Sequence, residues 1–272
     1  MNSKLDELNI GECALVGAEV AKEAGELLLG KLNTCLNVAH KGVINLVTEA
    51  DLESEKLIVG RLRQRFPTHS IVAEENHSDV PAGEICWIID PLDGTTNYAH
   101  GFPLFTVSIG LQVSGELRWG AVYSPVSGEL FTAQKGAGAF CNGSPIHVST
   151  VDSLGASLLC TGFPYDIRTS PQNNLQNFCA FALKSQGIRR TGTAALDFCF
   201  VASGRLDGFW EQKLNPWDCA AGYLMVSEAG GTVTNFHGEP ASIYGREVVA
   251  SNGLIHNEML TVLRSVVSNC QS

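Results

Sequence analysis

The chain has 272 residues, and its 18 Lys and Arg stand against 28 Asp and Glu, a formal charge of −10. Charged residues make up only 17% and hydrophobic residues 44%, which excludes a disordered chain. The acidic excess excludes a nucleic-acid binder driven by phosphate contacts, and it poses the question of where the surplus carboxylates sit.

In chain order, Met1–Ile10 carries Lys4, Asp6 and Glu7 without an apolar stretch, so no secretory signal is expected. Residues 8–32 have helical spacing, with Gly30 near the end. A second helix is predicted from about Asp51 to Phe66, with Ile58, Leu62 and Phe66 on one stripe. Thr48 and Asp51 have capping-box spacing at its start, and Pro67 stops it. The period then changes. Ser70–Ala73 and Cys86–Ile89 are short apolar runs ending at the acids Glu74 and Asp90, and Pro91 is expected to end the second strand. Phe105, Val107, Ile109, Leu111 and Val113 alternate on one face of a strand. Ser114-Gly115 turns the chain, Leu117 to Tyr123 alternate on the way back, and Glu129–Ala133 continues an antiparallel meander. Asn142-Gly143 reads as a hairpin turn. Beyond about residue 150, helices are predicted at Thr193–Ser203, Asp218–Ala229 and Leu254–Val267. Strands are predicted at Gly208–Glu211, Thr232–Phe236 and Glu247–Ser251. This pattern is a layered α/β (α+β) fold in one domain, with subdomains of about 1–150 and 151–272.

Nine cysteines, an odd number with no Cys-x-x-Cys pair, argue against a disulfide framework and a zinc knuckle. No apolar run approaches the roughly 18 residues of a membrane span. A cytoplasmic location is therefore expected, with the sequons at Asn76 and Asn142 unused. Two motifs fail. Gly25-Glu-Leu-Leu-Leu-Gly30-Lys31 lacks the hydroxyl residue of a P-loop and is built of helix formers. Gly136-Ala-Gly138 has Cys141 where a dinucleotide fingerprint needs its third glycine.

The informative stretch is Asp90-Pro91-Leu92-Asp93-Gly94-Thr95-Thr96-Asn97. Asp90 and Asp93 project from one bend, close enough to share a cation. The amides of Gly94 and Thr95 point outward in a geometry that suits phosphate, and Thr95-Thr96 can open a helical turn. Taken alone, an Asp-Gly turn is ordinary punctuation, and Asp51 and Asp218 read equally well as helix caps. Together with Glu74, however, each acid stands at the end of an element, where a layered fold presents side chains to a crevice.

These residues resemble the signatures of the inositol monophosphatase family. The first is the run from Asp90 to Asn97, and the second is Trp217-Asp218-Cys219-Ala220-Ala221-Gly222. Lys41–Asp51, Ala73-Glu74-Glu75 and Gly192-Thr193-Ala194 fall in family order, and the resemblance runs from about Leu8 to Val267. Cys160-Thr-Gly-Phe-Pro-Tyr-Asp166 is similar to bacterial or plastid-type members rather than animal ones.

The resemblance implies a five-layered αβαβα sandwich and a Mg²⁺-dependent, lithium-sensitive phosphomonoesterase that hydrolyses myo-inositol monophosphate. Glu74, Asp90 and the carbonyl of Leu92 would bind one Mg²⁺, and Asp90, Asp93 and Asp218 a second, with room for a weaker third ion sharing Glu74. Hard oxygen donors are what Mg²⁺ requires. Asp51, Thr95 and Glu74 would be catalytic, with Thr95, hydrogen-bonded to Asp51, orienting the attacking water. Gly94 and Thr95 amides would take the phosphate, beside Asp93. Gly192, Thr193, Ala194 and Glu211 would hold the alcohol. The substrate would be a small phosphorylated polyol, with no nucleic-acid or membrane partner, and the chain a homodimer. The alternatives are a related sugar or alcohol phosphatase (fructose-1,6-bisphosphate, histidinol phosphate or nucleotide 3′-phosphate) and a non-catalytic regulatory protein on this scaffold. Such acids packed without cations repel one another, so the metal-free site should be loose and Mg²⁺ should stabilise the fold.

Overall fold

The first helix, α1 (Ile10–Lys31), starts where Asn9 accepts a hydrogen bond from the Glu12 amide. It is followed by the short antiparallel pair β1 (Val38–His40) and β2 (Leu46–Thr48), then by α2 (Glu49–Arg65). The chain continues through β3 (Ser70–Ala73), β4 (Ile85–Asp93) and α3 (Thr95–Ala99). Next come β5 (Thr106–Val113), β6 (Glu116–Ser124), β7 (Glu129–Gln134), β8 (Gly138–Cys141) and β9 (Ser144–Pro145). A 3₁₀ turn at Leu154–Ala156 leads to β10 (Leu158–Thr161), α4 (Leu175–Ala182), β11 (Gly187–Arg189), α5 (Ala194–Ala202) and β12 (Gly208–Gln212). The last elements are α6 (Pro216–Glu228), β13 (Thr232–Thr234), β14 (Glu247–Ser251) and α7 (His256–Asn269). This is a computed structural model; it describes residues 9–32, 38–40, 46–75 and 83–269. Lys41–Asn45 and the sequon at Asn76 lie outside the described residues.

Strands β3 to β9 form one sheet in sequence order, antiparallel except for the parallel pair β3 and β4. The second sheet has the order β11-β10-β12-β14-β13, with β10 parallel to both neighbours. Helices α1 and α2 cover one face of the first sheet. Helices α5 and α6 lie between the two sheets, and α4 and α7 cover the outside of the second. The five layers αβαβα are thus present. The core follows the layering, with Trp87, Ile109 and Trp119 packed under α1 and α2, and Phe198, Phe209 and Met225 around the central helices. Trp210 and Phe181 pack beneath α7.

The structure corrects the sequence reading in three places. Strand β4 does not stop at Pro91. It continues to Asp93 across a register shift between Asp90 and Asp93, and the proline, which has no N–H, sits where the ladder lapses. The alternating strand β5 is buried on both faces, because α6 lies on the side that carries Ser108 and Gly110. The elements β10, α4 and β11 were not anticipated; the strands are only four and three residues long and carry no usable period. The Asn142-Gly143 hairpin is found, joining β8 to β9 with Cys141 opposite Ser144. The failed P-loop lies inside α1.

Candidate active site

The site forms where β4 ends. Gly94, at φ +95°, turns the chain into α3, and a Cβ there would stand 3.1 Å from the Leu104 carbonyl and 3.4 Å from that of Gly192. Gly192 has φ +88°, and a Cβ on it would meet the Asn97 amide group at 3.0 Å. Two loops distant in sequence therefore touch through backbone that only glycine allows. Asn97 fastens them, donating from Nδ2 to the carbonyls of Leu104 and Thr191 at 2.8 Å each.

The acids are fixed by the fold before any ligand is considered. Asp51 is fully buried and is the third helical residue of a capping box. Its Oδ2 accepts from the Thr48 amide (2.7 Å) and hydroxyl (2.6 Å), and its Oδ1 accepts from the Thr95 hydroxyl at 3.0 Å. The Thr95 hydroxyl also lies 3.1 Å from the Leu92 carbonyl. Asp218 fills the same place in the capping box of α6, accepting from the Asn215 amide at 2.6 Å. The cap and site readings of these two acids are thus compatible, since a carboxylate has about four lone-pair sites and the cap uses few of them. Asp90 accepts from the Leu92 amide at 3.1 Å. Asp93 accepts from the Thr193 hydroxyl at 2.6 Å and the Ala195 amide at 2.8 Å, which ties β4 to α5.

Among the described residues, no three His, Cys, Asp or Glu side chains are drawn together into a ready cage for an ion. The acids are nevertheless coupled. Burial pushes Asp90 well above the usual carboxylate range, and the charges of Glu74, Asp93 and Asp218 push it further. Asp218 is raised by burial and by Glu74 and Asp93, against its hydrogen bonds from Asn215. Burial lifts Asp93 to about 6 against the bonds from Thr193 and the α5 amides. Burial also raises Asp51, opposed by Thr48 and Thr95. Asp90 is buried and Glu74, Asp93 and Asp218 are half-buried around it, and the all-oxygen chemistry of this donor set fits Mg²⁺.

A cleft of about 280 Å³ opens beside these acids, lined by Asp93, Thr95, Thr193, Glu211 and Asp218 among others. Asp93, Gly94, Thr95, Gly192, Thr193, Ala194, Glu211 and Asp218 all border it, whereas Asp51, Glu74, Asp90 and Leu92 are not among its lining residues. Glu211 packs against Gly162, where no side chain would fit, and is raised by burial and by Asp197 and Asp218, while Arg190 opposes the shift.

Several cleft residues escaped the sequence reading, and Tyr165 entered it only within the run Cys160–Asp166. Asp197, buried in the first turn of α5, accepts from the Thr191 hydroxyl at 2.6 Å and is lifted by burial to about 8. Arg190 and Lys213 bring positive charge to an otherwise acidic cleft. Tyr165 is 57% exposed, yet its phenol is held above its usual range by burial and by Glu74, Asp218, Asp93 and Asp90. The pair Arg189-Arg190 next to Gly192 was the one legible signal among these positions.

Among the described residues, seven cysteines, including Cys13, Cys86 and Cys199, are free. Among the described residues no helix is long and apolar enough to cross a membrane.

The profile of the inositol monophosphatase family matches residues 11–271. An inositol-1-monophosphatase of Synechocystis sp. is 43% identical over 91% of this chain and 87% of its own length. A protein of Pseudomonas aeruginosa named Nus factor SuhB is 41% identical over 92% of this chain and 94% of its own. The solved structure of inositol monophosphatase from Anabaena (Nostoc) sp. superposes with a TM-score of 0.87 at 42% identity, covering 95% of this chain and 97% of that one. A match of this length, over a site assembled from both signatures, makes the chain a member of the inositol monophosphatase family, whose members are Mg²⁺-dependent phosphoric monoester hydrolases.

Proposed function

We propose that this chain hydrolyses myo-inositol monophosphate to inositol and phosphate, by direct attack of water at phosphorus. The observation that carries this reading is the set of acids around Asp90 that raise one another, beside a cleft bordered by Asp93, Thr193, Glu211 and Asp218. Glu74, Asp90 and the Leu92 carbonyl would hold one Mg²⁺, and Asp90, Asp93 and Asp218 a second, with a weaker third at Glu74. Bound there, Mg²⁺ lowers the pKa of water and offsets charge on the phosphoryl oxygens.

The chain's own groups do the rest. The Thr95 hydroxyl, held by Asp51, orients the attacking water, and Glu74 assists removal of its proton. The amides of Gly94 and Thr95 receive the phosphoryl oxygens. Gly192, Thr193, Ala194 and Glu211 hold the polyol, with Glu211 accepting hydroxyl hydrogen bonds. The layered domain is read as two subdomains, about 1–150 and 151–272, with the site at their junction. A cytoplasmic homodimer is part of the same reading and is open to fractionation and sedimentation.

The test is a panel of esters compared by kcat/KM with and without chelator, in which the inositol esters should lead and lithium should inhibit. A preference above tenfold for histidinol phosphate, fructose-1,6-bisphosphate or a nucleotide 3′-phosphate would replace the substrate while keeping the chemistry. Asp90→Asn and Asp218→Asn should each remove nearly all turnover from a folded protein. Near-normal activity in either at saturating Mg²⁺ would overturn the ligand assignment. The name of the Pseudomonas relative favours a second reading, a regulatory role on this scaffold. Such a role would persist in Asp90→Asn, whereas catalysis would not.

A further inference from the structure

Lys213 stands one residue past β12 and has φ +63°, a left-handed backbone that an ordinary side chain rarely adopts. Its amide donates to the Arg246 carbonyl at 2.5 Å, anchoring it to the end of the β12–β14 pair. Its side chain is largely covered, and Nζ donates to both oxygens of Asp166, at 2.8 and 2.6 Å, and to the Ser170 hydroxyl at 2.8 Å. Asp166 and Ser170 belong to the segment 162–174, which leaves β10 and borders the cleft with Phe163, Pro164 and Tyr165. The base of this segment is fastened elsewhere. Asn174 donates to the Thr161 hydroxyl and the Gly162 carbonyl, and accepts from the Trp210 indole at 2.9 Å. Within the segment, Ile167, Thr169 and Ser170 amides close local turns. Among the described residues, no other side-chain hydrogen bond joins the outer part of this segment to the second sheet. The strained backbone at Lys213 is thus matched by one task, holding the far end of a loop whose near end Asn174 holds.

We propose that Lys213 is a positioning residue that clasps Asp166 and Ser170 and so keeps segment 162–174, with Tyr165, as a wall of the cleft against the alcohol part of the substrate. This rests on the reading of the site as an inositol phosphatase and names what shapes its alcohol side. The clasp touches no phosphate, so its loss should appear in KM more than in kcat.

The experiment compares wild type, Lys213→Met, Asp166→Asn and the exchange Lys213→Asp/Asp166→Lys, with two readouts. One is KM and kcat for inositol monophosphate. The other, independent of activity, is the rate of thermolysin nicking within segment 162–174, where Tyr165, Asp166 and Arg168 are exposed. Each single variant should raise KM about fivefold and nicking about as much, the scale of a partly buried ion pair, and the exchange should recover most of both. Unchanged KM in Lys213→Met, with or without faster nicking, overturns the proposal. So does raised KM without faster nicking. A fall in KM in Asp166→Asn would mean that freed Lys213 acts on the substrate's anion, and would overturn it too. If wild type itself fails to hydrolyse inositol esters, the reading of the site has failed, while the nicking comparison still decides whether Lys213 holds the segment.

Discussion

Helix α6 carries Asp218 to the other acids, and it lies against the first sheet where two glycines leave room. A Cβ on Gly120 would stand 2.8 Å from Cα of Ala221 and 3.1 Å from its Cβ, and one on Gly110 would stand 2.8 Å from Cβ of Ala220. Backbone cannot swing aside as a long side chain does. Gly120→Ala must therefore lift α6 by about 0.6 Å, the step from 2.8 Å to the 3.4 Å at which ordinary contact begins. Overpacking by a methyl costs about 1–3 kcal/mol, and the better strand propensity of Ala returns about 0.5–1 kcal/mol. The net loss lies within about 0–2.5 kcal/mol and centres near about 1 kcal/mol, which lowers Tm by about 2–4 °C in a chain of this size. The same lift moves Asp218 away from Asp90 and Asp93, so more Mg²⁺ should be needed for half-maximal activity. Gly60→Ala is the control. It lies inside α2 with nothing within 4 Å of the added Cβ, and should gain about 0.5–1 kcal/mol. Thermal denaturation and a Mg²⁺ titration of activity read both effects. If Gly120→Ala melts at or above wild type and needs no more Mg²⁺, close packing does not set the position of α6 and the reasoning is refuted.

Thr95→Ala should lower kcat by about 10²–10⁴-fold with a smaller change in KM, and Thr95→Ser should recover much of it; equal loss in both variants would show that the hydroxyl is not what matters. Without metal, Asp90→Asn should melt higher than wild type, because a buried carboxyl whose ionisation burial, Glu74, Asp93 and Asp218 oppose is replaced by a neutral amide, and it should lose most of the Mg²⁺-induced rise in Tm. The metal-free protein should also lose stability as pH rises. Asp93 at about 6 and Asp197 at about 8 keep protons that the unfolded chain has released, so their contribution is full at acid pH. It fades as pH climbs through about 6 and then about 8. Melting curves in chelator at pH 5 and pH 8 test this, and a higher Tm at pH 8 would contradict it.

Much of the site was legible because its acids sit at element ends marked by local chemistry. Asp90 follows an apolar run, Asp93 precedes a glycine, and Asp51 and Asp218 stand at capping spacing, each a short-range pattern that one chain displays by itself. The continuation of β4 through Pro91 was not legible, since it depends on the partner strand β5 and the shifted register between them. The short strands β10 and β11 exist because β12 and the helices around them supply the pairing and burial that three or four residues cannot specify.

The residues facing the acids show the same division. Asp197 and Lys213 carry no local signature; they join the cleft because β10, β12 and α5 converge there. The amino-acid order by itself determined the family, the layered fold and which carboxylates to propose as ligands. Tertiary structure alone decided that Asp90 is buried with Glu74, Asp93 and Asp218 close enough to raise it, and which cations stand opposite. Signatures are carried by neighbours along the chain, whereas desolvation and charge coupling are set by distance in space.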